Sequence, residues 1–150
     1  MSHKNVKPSV PDHLQFKRQI CFPLYSASNA VVRAYRPYLD ELKITYLQYM
    51  VLMVLWEEQA SNVKTLGERL NLDSGTLTPL LKRLEAKGFI SRQRDKTDER
   101  GRIIRITQSG NALKSLAKDI PTKVAKKTGL TIEEHQQLKT LCLKIVANSQ

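Results

Sequence analysis

Apolar residues recur with a helical period along most of this chain and with a strand-like period in one short stretch. The clearest pattern runs from Leu72 to Ile106, LDSGTLTPLLKRLEAKGFISRQRDKTDERGRIIRI. Leu77, Leu80, Leu81 and Leu84 stand at i, i+3, i+4 and i+7, one apolar face of a helix. Asp73 is placed to cap the start of that helix, and Gly88 to close its end. Two β-like runs follow, Ile90–Arg94 and Arg102–Ile106, with a charged tip from Asp95 to Gly101 between them. The order helix then β-hairpin is that of a winged helix-turn-helix.

The segments on either side complete the frame. Residues 1–11 are polar with two prolines and read as a loose arm. From Leu14 to Leu42 the pattern is helical but interrupted by Pro23 and Pro37. A helix starting near Pro23 and ending or kinking near Pro37 is expected, because an internal proline removes a hydrogen bond and clashes with the preceding turn. Thr45 opens a segment that is apolar nearly all round as far as Glu58, the signature of a buried central helix. Ser61 or Asn62 caps a short helix, VKTLGERL, which meets the next helix at Asn71–Leu72. Two short helices with a tight link make a helix-turn-helix. Thr107 restarts helix as far as about Lys127, with Pro121 disturbing its middle and Gly129 ending it. Thr131 and Glu134 form a capping box for a last helix, which carries Leu138, Leu141, Cys142 and Ile145 on one stripe. At 150 residues the chain reads as a single domain, mainly α with a small β wing.

Charge sharpens the picture. The net formal charge is +11. Residues 61–107 hold +5 of it, 108–150 hold +4, 1–20 hold +3, and 21–60 carry −1. Residues 61–107 also hold 11 of the 25 Lys and Arg, so the densest block of basic side chains is the helix-turn-helix and hairpin, as an electrostatic footprint for nucleic acid requires. On the helix after Asp73, Ser74, Gly75, Thr76, Thr78 and Pro79 lie near the start, and Lys82 and Arg83 follow. Hydroxyls and helix-start N–H groups reach phosphates and base edges, and cations neutralise phosphate. Arg94 closes the first strand-like run on the same lobe. A leucine-striped helix with charges outside is by itself an ordinary surface helix; the helix before it and the hairpin after it make it a DNA reader.

Other classes recede. No apolar run of about 20 residues lacks charge, so no transmembrane span is expected. The N-terminus has no apolar signal core, which points to the cytoplasm. His3, His13 and His135 are scattered and no CxxC occurs, so neither a metal site nor a cofactor is expected. Of the two cysteines, Cys142 lies in an apolar stripe and reads as packing. Cys21, between Ile20 and Phe22, is either a small buried hydrophobe or a reactive thiol. Tyr25, four residues on, shares its helix face.

At this point the sequence resembles a MarR-family transcription regulator over about residues 13–147, and especially the organic-hydroperoxide-sensing (OhrR-type) branch. The resemblance is carried by QICFPLYSASNAVVRAYRPYLDEL, ITYLQYMVLMVLWE, LDSGTLTPLLKRLEAKG and DERGRIIRIT, in that order. It implies a homodimer with a winged helix-turn-helix in each subunit. The terminal helices, about 12–44 and 108–147, would form the interface, and about 61–107 the DNA-binding lobe. The helix Ser74–Lys87 would enter the major groove of operator DNA. Arg100, oriented by Asp98, would enter the minor groove, where a narrow A·T-rich tract attracts a guanidinium. The resemblance keeps Pro79 inside the helix that begins after Asp73, whereas local rules alone would start it at Thr78–Pro79.

The same resemblance makes Cys21 a peroxide-sensing residue held by the hydroxyls of Tyr35 and Tyr46. Tyr35 lies 14 residues after Cys21, about 21 Å along one straight helix, so a contact requires a partner subunit or a chain that folds back. The expected function is a repressor, not an enzyme, that releases DNA when an organic hydroperoxide oxidises Cys21, with a low-molecular-weight thiol as a further partner. A regulator of the same fold answering a small aromatic ligand, or a one-cysteine global stress or virulence regulator, is the alternative. Three positions depart from the branch: Pro23 replaces a helix former, Leu47 a proline, and Lys126 the resolving cysteine of two-cysteine members.

Overall fold

A computed structural model describes residues 10–94 and 101–149. Short 3₁₀ turns at Asp12–Leu14 and Phe16–Arg18 lead into α1 (Cys21–Glu41), α2 (Tyr46–Glu58), β1 (Ala60–Asn62), α3 (Val63–Leu70) and α4 (Ser74–Ala86). The hairpin β2 (Ile90–Arg94) and β3 (Arg102–Ile106) follows, then α5 (Gln108–Ala117), α6 (Ile120–Lys127) and α7 (Ile132–Ala147). The fold is mainly helical with one small antiparallel sheet.

The core forms around α2, whose Val51, Leu52 and Leu55 are fully buried. Its start is a capping box, with Thr45 Oγ1 accepting from the Gln48 N–H and Gln48 Oε1 from the Thr45 N–H. Leu66 of α3, the four leucines of α4, Ile90 and Ile104 of the hairpin, and Leu113, Ala117, Ile120 and Val124 of α5 and α6 close around it. By contrast α7 buries no residue, and α1 buries only Leu39.

Two expectations are corrected and a third is extended. First, of the two outcomes expected at Pro37, the helix does not end there: α1 runs on to Glu41. Arg33 and Pro37 are both exposed, so water can serve the carbonyl that the missing N–H leaves free. Pro23 is the third helical residue, where no N–H has an intrahelical partner in any case. Second, the helix after Thr107 is two helices. The break falls at Lys118–Asp119, and Pro121 takes the second position of α6, where its fixed φ is tolerated. Third, residues 60–62 form a strand as well as a cap. Gln59 turns the chain with φ 63°, and Ser61 then pairs opposite Ile104, giving the strand order β1-β3-β2. Asn62 also caps α3, accepting from the Thr65 N–H at 2.7 Å.

Candidate nucleic-acid interface

The helix-turn-helix is drawn together by a close approach. A Cβ on Gly67 of α3 would lie 2.9 Å from the Leu72 carbonyl oxygen, so only glycine lets the link fold back this tightly. Asn71 closes α3 in the left-handed region at φ 52°. Asp73 then starts α4, accepting from the Thr76 N–H at 2.8 Å and from its hydroxyl at 3.0 Å. These bonds hold the Asp73 carboxyl below the usual carboxylate range. α4 runs unbroken through Pro79, its sixth residue. The leucine face turns inward, leaving Ser74, Gly75, Thr78, Pro79, Lys82 and Arg83 exposed on the other side and Thr76 half-buried. Thr76 has its hydroxyl proton committed to Asp73, which leaves that oxygen as an acceptor only.

The hairpin stands beside this face. Arg94 and Arg102 stand opposite each other at the tip end of its ladder and are both exposed. Asp98 and Arg100 lie outside the described residues. A groove of about 700 Å³ runs between α3, α4 and the hairpin, with Asn62, Lys64, Ser74, Thr78, Arg92 and Arg102 among its walls. Arg92 and Arg102 escape a sequence reading because residues of either face alternate along a strand; only the register fixes which ones meet α4. Arg69 anchors α3 to α2 through Glu57 and Glu58.

The second set of residues lies on α1 and α2. Cys21 is the first residue of α1 and is exposed, and Ile20 before it offers no side-chain cap. Phe16 and Phe22 pack with ring centroids 4.4 Å apart. Tyr25 is 70% exposed, and among the described residues no hydrogen bond joins it to the sulfur. Tyr35 and Tyr46 do come together, at 5.1 Å between centroids, and Tyr49 joins them at 5.7 Å from Tyr35. Tyr49 reads in the sequence as core alone; its part in the cluster follows from α1 crossing α2 at that point. Among the described residues the three hydroxyls have no hydrogen-bond partner. Cys21 and Tyr35 share one unbroken helix, so the chain does not fold back to join them, and they stay about 21 Å apart.

Burial raises the pKa of all three phenols, with the charge of neighbouring phenolates adding to it at Tyr35 and Tyr49, and together these push Tyr49 to about 12. The hydroxyls are therefore neutral donors at any physiological pH. The folded chain holds these protons after the unfolded chain, with its ordinary value of 10.0, has begun to lose them. Stability should accordingly fall as pH rises from 10 towards 12. Urea unfolding at stepped pH checks this: Tyr49→Phe should flatten that part of the profile, and an unchanged slope would remove Tyr49 from the cause.

Residues 33–116 match the family profile described as transcriptional regulator SarA/Rot. The chain is 46% identical over 130 residues to the organic hydroperoxide resistance transcriptional regulator of Bacillus subtilis (strain 168), covering 87% of this chain and 86% of that protein. The chain belongs to the MarR/SarA family of transcription regulators. Solved structures agree. Reduced AbfR bound to DNA, a protein of Staphylococcus epidermidis, superposes with a TM-score of 0.75 at 32% identity, covering 89% of this chain and 94% of that one. A cysteine-to-serine mutant of E. coli MarR complexed with operator DNA gives 0.73 at 28% identity, covering 83% and 91%. As a MarR-family member the chain is a DNA-binding transcription regulator with a winged helix-turn-helix. Among the described residues no helix is long and apolar enough to cross a membrane.

Proposed function

We propose that this regulator is a homodimeric repressor that reads operator DNA with α4 and the hairpin and senses organic hydroperoxides through Cys21. Two half-sites on successive major grooves, about 34 Å apart, suit a two-fold dimer. In this reading α1 and α7 form the interface, and the DNA-binding lobe spans about residues 61–107. Ser74, Gly75, Thr76, Thr78, Pro79, Lys82 and Arg83 face the major groove. Arg94 meets the backbone, and Arg100, steadied by Asp98, enters the minor groove.

The observation that carries the sensing half is the arrangement along α1. An exposed thiol starts the helix, and two neutral phenols, unbonded among the described residues, stand 14 residues further along or beside it. Two such helices packed antiparallel bring the thiol of one subunit to the phenols of the other. Tyr35 and Tyr46 then donate hydrogen bonds to the sulfur across the interface, which favours the thiolate. The thiolate attacks one peroxide oxygen and the O–O bond breaks. The leaving oxygen takes up a proton and departs as the alcohol, so sulfur loses two electrons and the peroxide gains them. The resulting sulfenic acid is the first reversible oxidation state. A low-molecular-weight thiol can condense with it, releasing water and leaving a mixed disulfide. Either product displaces the phenols, rotates one subunit against the other and spoils the half-site spacing.

The test is a titration with an organic hydroperoxide of protein bound to the duplex from upstream of its own coding sequence, followed by anisotropy. Wild type should release the duplex and Cys21→Ser should hold it. Tyr35→Phe should bind DNA normally and respond to higher peroxide only. If Cys21→Ser releases as readily as wild type, the cysteine is not the sensor, and small aromatic ligands become the next candidates.

A further inference from the structure

Glu85 stands in the last turn of α4, and Arg92 is the third residue of β2. Arg92 brings three donors to that one carboxylate. Its backbone N–H reaches Oε1 at 3.1 Å, its Nε–H reaches Oε2 at 2.7 Å, and its Nη2 lies 2.6 Å from Oε2. β2 is an edge strand of the sheet. Its outward N–H groups would otherwise face water or another chain; at Arg92 the carboxylate takes that place. Across the ladder Arg92 stands opposite Ile104, which is fully buried. The strand is thus held at one level on both edges, by the sheet and by the helix. The side chains of Arg92 and Glu85 are 28% and 35% exposed, so water competes only in part. The guanidinium keeps the Glu85 carboxyl below the usual range, hence ionised throughout physiological pH.

The pair lies between the two parts of the molecule that read DNA. Lys82 and Arg83 precede Glu85 on α4 and are exposed. Beyond Arg92, Arg94 is also exposed and ends β2 two strand residues, or about 7 Å, from the clamp. The turn joining α4 to β2 is closed close to the helix: Gly88, at φ 75°, donates its N–H to the Glu85 carbonyl at 2.8 Å, and the Phe89 N–H reaches the Leu84 carbonyl at 3.1 Å. Thr107 braces it from the other side, its hydroxyl on the Gly88 carbonyl at 2.6 Å and its N–H on the Phe89 carbonyl at 3.1 Å; the clamp adds a hold further out along β2. A tilt of roughly 10° at the clamp would move the Arg94 end of the strand by about 1 Å, enough to weaken a hydrogen bond made there.

We infer that Glu85, acting through Arg92, fixes the angle between the hairpin and the recognition helix. The pair thereby sets how strongly the protein discriminates base pairs beneath the hairpin tip, apart from those beneath α4. Glu85 and Arg92 are positioning residues: the ion pair is already closed within the chain, and its effect reaches DNA through the tip. This rests on the docking proposed above, with α4 in the major groove and the tip in the minor groove.

The test uses the full-length protein and a duplex that wild type selects from a random-sequence pool. Affinity is measured on two panels, one changed at the central positions and one at the outer positions under the tip. Glu85→Gln and Arg92→Lys are compared with wild type, with melting temperature as the control for folding. Wild type should discriminate the outer positions by about fivefold or more, within the range of a single base-pair change. Glu85→Gln should reduce this to below about twofold while central discrimination and melting temperature stay close to wild type. Arg92→Lys, which keeps the charge and the backbone N–H but loses the forked geometry, should fall between. Undiminished outer preference in both variants would overturn the inference. So would equal losses on the two panels in step with melting temperature, the mark of a merely structural pair. If wild type itself shows no outer preference, the docking of the hairpin is wrong, and the clamp has nothing to position.

Discussion

Gly110→Ala is expected to destabilise the protein by about 3 kcal/mol, the upper part of the range for overpacking. A Cβ there would sit 2.1 Å from the Phe89 carbonyl oxygen and 2.9 Å from Ile106 Cγ1. Neither neighbour can move away cheaply. The Phe89 carbonyl accepts from the Thr107 N–H at 3.1 Å. Thr107 in turn caps α5 at the Gly110 N–H, and the Gly110 carbonyl accepts from Trp56 Nε1–H at 3.0 Å. Relief of the clash therefore pulls on the hairpin, on α5 or on the indole bond to α2. At about 2–4 °C per kcal/mol for a chain of this size, the melting temperature should drop by roughly 10 °C. A loss of a degree or less by calorimetry would mean that α5 can slide away freely and that the close approach is not a constraint.

Leu141→Glu, alone or with Leu138→Glu, should convert the protein to a monomer and weaken operator binding by about a hundredfold or more, because two half-sites are then bound independently. Both leucines are exposed in the single chain, Leu141 at 59% and Leu138 at 43%, and α7 buries nothing. Leu143, Ile145 and Val146 of the same helix, and Phe16, Ile20 and Phe22 near Cys21, are also exposed. Apolar surface of this extent marks an interaction site on a soluble protein. If α7 faces a second copy, the new carboxylate is buried unpaired and the interface fails. If α7 faces water, the substitution is harmless. Sedimentation equilibrium decides between them, and an unchanged assembly with unchanged operator affinity would take α7 out of the interface.

Where side chains alone set the outcome, the sequence was a sound guide. α4 and both hairpin strands fall where the leucine spacing, the Asp73 cap and the β-like runs put them, because those signals are local. The features that needed the fold are of another kind. Pro37 is tolerated inside α1 at a turn where both it and Arg33 are exposed, and exposure is a tertiary fact. Ala60–Asn62 has no strand signal; it becomes a strand because β3 offers a partner edge. The Glu85–Arg92 contact depends on register, and Tyr49 joins Tyr35 and Tyr46 only through the crossing of α1 and α2. For the proposed sensor, residue types and spacing along α1 were legible, whereas the meeting of Cys21 with the tyrosines that the proposal requires would need a second chain.

Trp56 sits where these parts meet. It is the chain's single tryptophan, its ring is 5.9 Å from Tyr49 at the edge of the tyrosine cluster, and its indole N–H is bonded to the helix that leaves the hairpin. Light absorbed by the tyrosines therefore has one nearby acceptor, and the emission of that acceptor responds to a hydrogen bond to α5, the helix that follows the hairpin. The protein carries its own optical gauge: a displacement that passes from the tyrosines to the hairpin must change the colour or yield of Trp56, without any label attached.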